Sequence, residues 1–294
     1  MGCLYTLLGL AIKGNNAYFC SIINNFMETS LDIRIKKLKE KGYDLSLNKI
    51  FDDGFAVWKK IVFLGIFYIL FSYLFNNLVN IFISNVTGAR VIESEFNEAF
   101  TKLSKDPAAL QKIVPLFQDY INNPLIVKKT IISFLISLLI FPMNAGVVFC
   151  AYQADKKGSA SFKDLIRGFQ GNKFINLTGL IFIFTIFMII SIFLFFVPVL
   201  YFVPAFILAG AFIVIDEAPL LKAIKYSFQV VNMKFGQILL ILILSFLISK
   251  VLGFLVCGIG LVLTLPFSSA IVYSLYKNTV GTVETTNESD SMTK

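Results

Sequence analysis

Histidine is absent from the 294-residue chain. Its absence removes Ser-His-Asp and Cys-His nucleophile pairs, imidazole metal ligands and the commonest general base together. Charge is absent over long stretches as well: no Asp, Glu, Lys or Arg occurs from Ile175 to Ile215, and the apolar stretch ending at Tyr276 is interrupted only by Lys250. The four cysteines, Cys3, Cys20, Cys150 and Cys257, show no C-x-x-C spacing for zinc or dithiol chemistry and are read as unpaired. No glycine-rich phosphate loop is present either. These absences leave the sequence with no catalytic residue, no metal site and no cofactor to assign.

What is present is hydrocarbon: 57% of the residues are hydrophobic, against about 45–50% apolar usage in soluble domains. A bilayer core about 30 Å thick takes roughly 20 apolar residues per helical pass. The pattern predicts an all-α, polytopic membrane bundle of about six transmembrane helices, at 61–85, 130–152, 175–197, 199–215, 236–255 and 261–276. Pro198 and Pro204 break the tight turn between the third and fourth, and Gly258 and Gly260 separate the last two. The net charge of +8 does not read as nucleic-acid binding, because the basic residues lie beside the apolar segments and not in an aromatic-interleaved stripe. The lipid bilayer, with its anionic headgroups, is the expected partner.

Lys and Arg counts orient the chain. Nine occur up to Lys60, five from Lys156 to Lys173, three from Lys222 to Lys234 and two after Tyr276, whereas residues 86–129 hold six nearly balanced by five acids. Basic residues stay with the cytoplasmic side, so the expectation is a multi-pass cell-membrane protein with both termini cytoplasmic. Residues 1–60 then form a cytoplasmic N-terminal segment and 277–294 a disordered cytoplasmic tail. Gly2 to Ile12 is too short to cross and lacks the flanks of a signal peptide, and Met27 opens a more ordinary start, so residues 1–26 are read as a mis-assigned start. The external segment 86–129 reads as a helical hairpin: Ile92, Phe96, Phe100 and Leu103 recur at helical spacing, and Asp106-Pro107 is a start signal for a second helix. It either covers the mouth of the bundle or recognises a membrane protein partner.

An internal repeat underlies the bundle. Phe51, Gly54, Phe55 and Lys59 precede the first crossing, and Leu165, Gly168, Phe169 and Lys173 precede the third at the same spacing. Ile224, Ser227 and Phe228 precede the fifth with the same steps. Three units follow, each an amphipathic helix and then a membrane hairpin, the helix laying its apolar stripe at the acyl boundary while Lys and Arg reach phosphates.

With Ile215-Asp216-Glu217-Ala218-Pro219, Ala223, Ser227-Phe228, Cys257-Gly258-Ile259-Gly260, Leu265-Pro266 and Tyr273, residues 145–280 resemble the membrane domain found beside some glycerophosphodiester phosphodiesterases and in related bacterial multi-pass proteins. The resemblance implies a bacterial inner-membrane module. It implies no esterase, since that activity belongs to a separate soluble barrel whose carboxylates and histidine this chain lacks.

Several polar residues stand out against the apolar background. Asp216 and Glu217 are placed either as a proton- or cation-binding pair or as caps for the helix after Pro219, with Lys222 and Lys225 completing an interfacial charge cluster. Lys250 lies within the fifth crossing, where it snorkels or faces a cavity. Asn144 beside Pro142 and Thr264 beside Pro266 stand where freed carbonyls line a cavity or where side chains join helices. The functional expectation is a non-enzymatic membrane module interacting with lipids or partner proteins. The alternative is a carrier or channel for a small or lipidic solute, with an intramembrane enzyme using Asp216 and Glu217 ranking last.

Overall fold

A computed structural model describes residues 30–105, 111–255 and 259–281. The 1–26 segment, Cys3, Cys20, Cys257, the Asp106-Pro107 signal and residues 282–294 lie outside the described residues. Every regular element among the described residues is a helix. The chain divides into two compact units, one of residues 30–45 with 276–281 and the other of 46–275.

In the smaller unit, α1 (Ser30–Lys41) buries Leu31, Ile35 and Leu38 at i, i+4 and i+7 and leaves Lys36, Lys39 and Lys41 exposed. Arg34 is buried on the same face, where its guanidinium donates to the Tyr276 hydroxyl at 3.1 Å. Residues 277–281 are helical, with Asn278, Thr279 and Val280 buried. Residues 277–281, expected within a disordered tail, are thus ordered. The polar character of Lys277 to Thr279 hid this, since nothing in their spacing signals burial.

The larger unit opens with α2 (Leu47–Thr87), a single 41-residue helix, about twice as long as hydrocarbon thickness requires. The basic amphipathic stretch and the first crossing are one rod, because no proline interrupts them. Gly88, left-handed at φ 77°, ends it and returns its N–H to the Asn85 carbonyl. Next come α3 (Ala89–Ser104) and α4 (Ile113–Asn122), joined by Phe96, whose ring lies tilted against Tyr120 at 4.2 Å and edge-on to Phe117 at 5.0 Å. α3 is the helix that the spacing of Ile92, Phe96, Phe100 and Leu103 predicts. Lys129, in α5 (Pro124–Leu138), pairs with Glu93 of α3 where both side chains are largely buried.

A turn at Leu139 and Ile140 separates α5 from α6 (Phe141–Lys157), with Pro142 in the first turn of the second helix. One turn of helix, α7 (Phe162–Leu165), is closed by a reciprocal Ser161–Asp164 capping box, and a short 3-10 turn at 167–169 leads to α8 (Asn172–Phe193). The return leg is broken into α9 (Val199–Phe206) and α10 (Ala209–Val214) just after Pro204. The last unit comprises α11 (Leu220–Met233), α12 (Phe235–Leu255) and α13 (Ile259–Tyr276). Lys234 leaves helical geometry, and the chain bends by 98° between α11 and α12.

Among the described residues three helical spans are long and apolar enough to cross a membrane, Leu47–Thr87, Pro124–Lys157 and Asn172–Phe193, and the count reaches four when the bent pair Leu220–Met233 with Phe235–Val251 is taken as one span. Val199–Val214 is apolar but shorter. The outward faces of these helices carry large apolar side chains in the open, such as Phe63, Phe82, Ile175 and Phe193, the last 79% exposed. Water does not tolerate so continuous an apolar belt, and hydrocarbon does.

Backbones approach closely where glycine permits it. A Cβ on Gly146 of α6 would lie 1.8 Å from the Leu165 carbonyl oxygen, and one on Gly168 would lie 2.1 Å from that of Pro142. These two contacts weld α6 to the 162–169 segment, and no rotamer change can relieve a clash with a carbonyl. Gly146→Ala and Gly168→Ala are each expected to cost on the order of 2–3 kcal/mol, as overpacking does. Gly236→Ala, with nothing within 4 Å of the added carbon, is expected to leave stability unchanged or raise it by about 0.5 kcal/mol. Unfolding of the three variants in mixed micelles measures the contrast.

Candidate functional site

The three repeat positions at Gly54, Gly168 and Ser227 have a common physical role. Each is buried, and each sets its amphipathic segment against the second helix of another unit. Gly168 meets Pro142 of α6. Ser227 donates its hydroxyl to Ala205 O at 2.7 Å and accepts from Leu208 N at 3.2 Å, so it satisfies both backbone groups at the break between α9 and α10. Gly54 meets Ile271 of α13, and Gly65, further along α2, meets the ring of Pro266. Unit two thus docks on unit one, unit three on unit two, and unit one on unit three. A hydrogen bond from the Ser274 hydroxyl to Ile50 O at 2.8 Å fastens the closure.

The docked prolines are evenly spaced: 62 residues separate Pro142 from Pro204 and Pro204 from Pro266. Each ring member presents the same helical positions inward. Two residues after the prolines stand Asn144, Phe206 and Ser268, and six residues after them Val148, Gly210 and Val272; all six line one cavity of about 510 Å³. Pockets for small molecules span about 300–1,000 Å³, so this one is of ligand size. Its wall is uneven. The first and third units supply hydroxyls and an amide, whereas the second supplies Phe206, Ile207, Leu180 and Phe184.

The polar side centres on Tyr68 of α2, whose hydroxyl receives a hydrogen bond from Asn144 Nδ2 at 3.3 Å. One turn on, the buried Ser72 hydroxyl lies beside the phenol with no hydrogen bond of full geometry. Asn144 is exposed although its neighbours Met143 and Ala145 are buried, which places its accessible surface at the cavity. No Asp, Glu, Lys or Arg lines the wall.

Of the expected membrane cluster, only Asn144 lies at this cavity. Lys250 is exposed, its ammonium 5.6 Å from the Phe246 ring centre, and Thr264 donates to Ser249 O at 2.8 Å, joining α12 to α13. The three residues do not converge. Lys250 sits one turn beyond its aromatic neighbour, near the end of its helix, where a flexible stem can carry charge away from hydrocarbon.

Glu217 departs from its capping assignment. Its carboxylate pairs with Lys173 at 2.7 Å and Arg167 at 3.1 Å, while the N–H of Leu220 is taken by Asn176 Oδ1 at 3.4 Å. Asp216 is half-buried beside it, Lys222 lies 5.9 Å from the Tyr226 ring centre and Lys225 is exposed. Glu217 adopts φ 57°, an uncommon conformation for a residue with a side chain. The turn aims its carboxylate back at the start of α8, and Arg167 also stacks 5.5 Å over Phe149. Among the described residues no group of three His, Cys, Asp or Glu could hold a metal ion, and Cys150 is buried and unpaired.

Tyr68, Ser72, Ser268 and Ser269 escape a search based on charge, since neutral polar residues are common in apolar helices. The equal proline spacing is the signal that finds Ser268 from Asn144. Compared with protein-family models, curated proteins and solved structures, the chain gives no match.

Two expectations follow. The hydrogen bond from Lys173, its charge and the nearby Arg167 hold the Glu217 carboxyl below the ordinary carboxylate range. Stabilisation from the pair is therefore complete above the unfolded carboxyl pKa and fades as pH falls through the depressed folded value. At neutral pH Glu217→Gln is expected to lose no more than about 1 kcal/mol, because the carboxylate is largely solvated, and the two proteins should converge in acid. A pH series of unfolding midpoints reads this. Ser227→Ala, which orphans two buried backbone groups, is expected to cost about 1–3 kcal/mol at every pH.

Proposed function

We propose that the chain is an integral membrane protein with six crossings and cytoplasmic termini, acting as a non-enzymatic module that engages anionic lipid headgroups. The observation carrying this reading is the gathering of basic residues at one end of the larger unit. Lys60 of α2 donates to Ala154 O near the end of α6, Lys173 at the start of α8 pairs with Glu217 after α10, and Tyr273 of α13 donates to Asp155. The starts of the first helices and the ends of the second ones therefore share a level, which brings Lys59, Lys156, Lys157, Lys163, Lys222 and Lys225 to one rim. A basic rim beside an apolar belt suits an anionic leaflet, where each basic residue adds about 1 kcal/mol. The 16-residue span 199–214 and α13 serve as the shorter crossings, relieved by their prolines. The resemblance to the membrane domain beside glycerophosphodiester phosphodiesterases points the same way. The cavity favours a second reading, a carrier for an uncharged lipidic solute.

Impermeant thiol labelling in a cysteine-free background tests the topology. Thr101→Cys should react in intact cells and Lys157→Cys only after permeabilisation; labelling of both from one side would overturn the reading. Native mass spectrometry tests the rim. Phosphatidylglycerol should be retained over phosphatidylcholine, and joint Lys156→Gln, Lys157→Gln and Lys163→Gln replacement should cut that preference at least tenfold. An unchanged preference rejects the headgroup role.

A further inference from the structure

We propose that the cavity enclosed by the three proline-bearing helices is a binding site for an uncharged lipid with a hydroxyl or ester head, of the monoacylglycerol class. The proposal rests on the membrane reading above. Its first support is polarity. Tyr68, Ser72, Asn144, Ser268 and Ser269 line a cavity together with Phe206, Ile207, Leu180 and Phe184, so the wall offers both a polar head and an apolar body something to meet.

Its second support is the missing charge. A carboxylate, phosphate or ammonium head would be taken from water or headgroups into this wall with no countercharge, and desolvation opposes that strongly. Neutral hydroxyls and ester carbonyls meet both donors and acceptors here: Asn144 Oδ1 accepts, and the Tyr68 and serine hydroxyls do either. The Ser72 hydroxyl, which lies beside the Tyr68 phenol without a well-formed hydrogen bond, adds a further donor and acceptor to this cluster.

Its third support is the solvent. An acyl chain leaving bilayer hydrocarbon for the apolar wall gains little, because both environments are apolar. Selectivity then resides in the polar cluster, at the middle of α2 and at the first turns after Pro142 and Pro266. A hydrocarbon lacking a head has no reason to enter, and a charged lipid is excluded. The site thus discriminates by head chemistry and not by chain.

Gly210 supplies the test. It lines the cavity, its backbone is helical, and a Cβ there would come no closer than 4.0 Å to Leu180, so Gly210→Leu fills the space without forcing the ring apart. Full-length protein in nanodiscs is photolabelled with monooleoylglycerol carrying a diazirine in its chain, and the adducts are mapped. Labelling should fall on peptides spanning 203–211 and 266–272, unlabelled monooleoylglycerol should compete at least tenfold better than oleate, and Gly210→Leu should reduce labelling at least tenfold. Asn144→Leu, which removes a hydrogen-bonding group from the polar cluster, should weaken competition by monooleoylglycerol at least tenfold while the folded fraction, read by gel filtration, stays constant. Adducts elsewhere, equal competition by oleate, or full labelling of Gly210→Leu would overturn the proposal. The topology labelling is independent, so loss of the site with opposite-side accessibility intact would sink the ligand and leave the membrane reading standing.

Discussion

The close approach of each amphipathic segment to a proline-bearing helix is the constraint on which the larger unit depends. In a membrane, helices gain little from hiding apolar surface, so they associate through tight packing and through backbone groups that find partners. Gly146 and Gly168 let two backbones touch, and Ser227 replaces contact with a pair of hydrogen bonds. Glycine and serine at the same repeat position solve one problem in two ways. Where the neighbouring helix is whole, a missing side chain admits it; where Pro204 has opened the helix, a hydroxyl satisfies the released carbonyl and amide.

That solution explains why the prolines recur. A proline inside a helix normally costs about 3 kcal/mol, because it removes a hydrogen bond and crowds the preceding turn. Here Pro142 sits in the first turn of α6, where the cost is small, Pro266 lies inside the continuous α13, and the break after Pro204 coincides with Ser227, whose hydroxyl offsets the cost locally. The ring of three follows, and so does the cavity, because three helices displaced at the same level cannot pack at their common centre with residues as small as Gly210, Ser268 and Ala145. The cavity is therefore a consequence of the repeat, tuned by side chains that differ among units.

The all-helical fold and its long apolar helices were legible in the sequence, because hydrocarbon solvation and helical spacing act on every residue. The helical spacing of Ile92, Phe96, Phe100 and Leu103 made α3 legible for the same reason. The joints within the units were not. The first amphipathic segment runs straight into α2, the second is one helical turn and a 3-10 turn, and the third bends by 98°. These outcomes turn on Lys234 and Gly171 adopting particular dihedrals, and such choices are made by tertiary contacts. Charge-led reasoning likewise favoured Lys250 over Tyr68, although a flexible cation near a helix end has an escape that a mid-span phenol lacks.

The two ends of the larger unit accordingly divide the chemistry. At the basic rim, Glu217 in its left-handed turn holds Lys173 and Arg167 as a local counter-ion, which fixes their side chains. Deeper in, charge is absent and neutral hydrogen bonding takes over. As proposed, the rim suits an anionic head and the cavity an uncharged one, so the two would filter different lipids. The same physical rule produces both filters: a charge is kept where water or a partner can reach it, and an interior without either admits only groups that can be satisfied by hydrogen bonds.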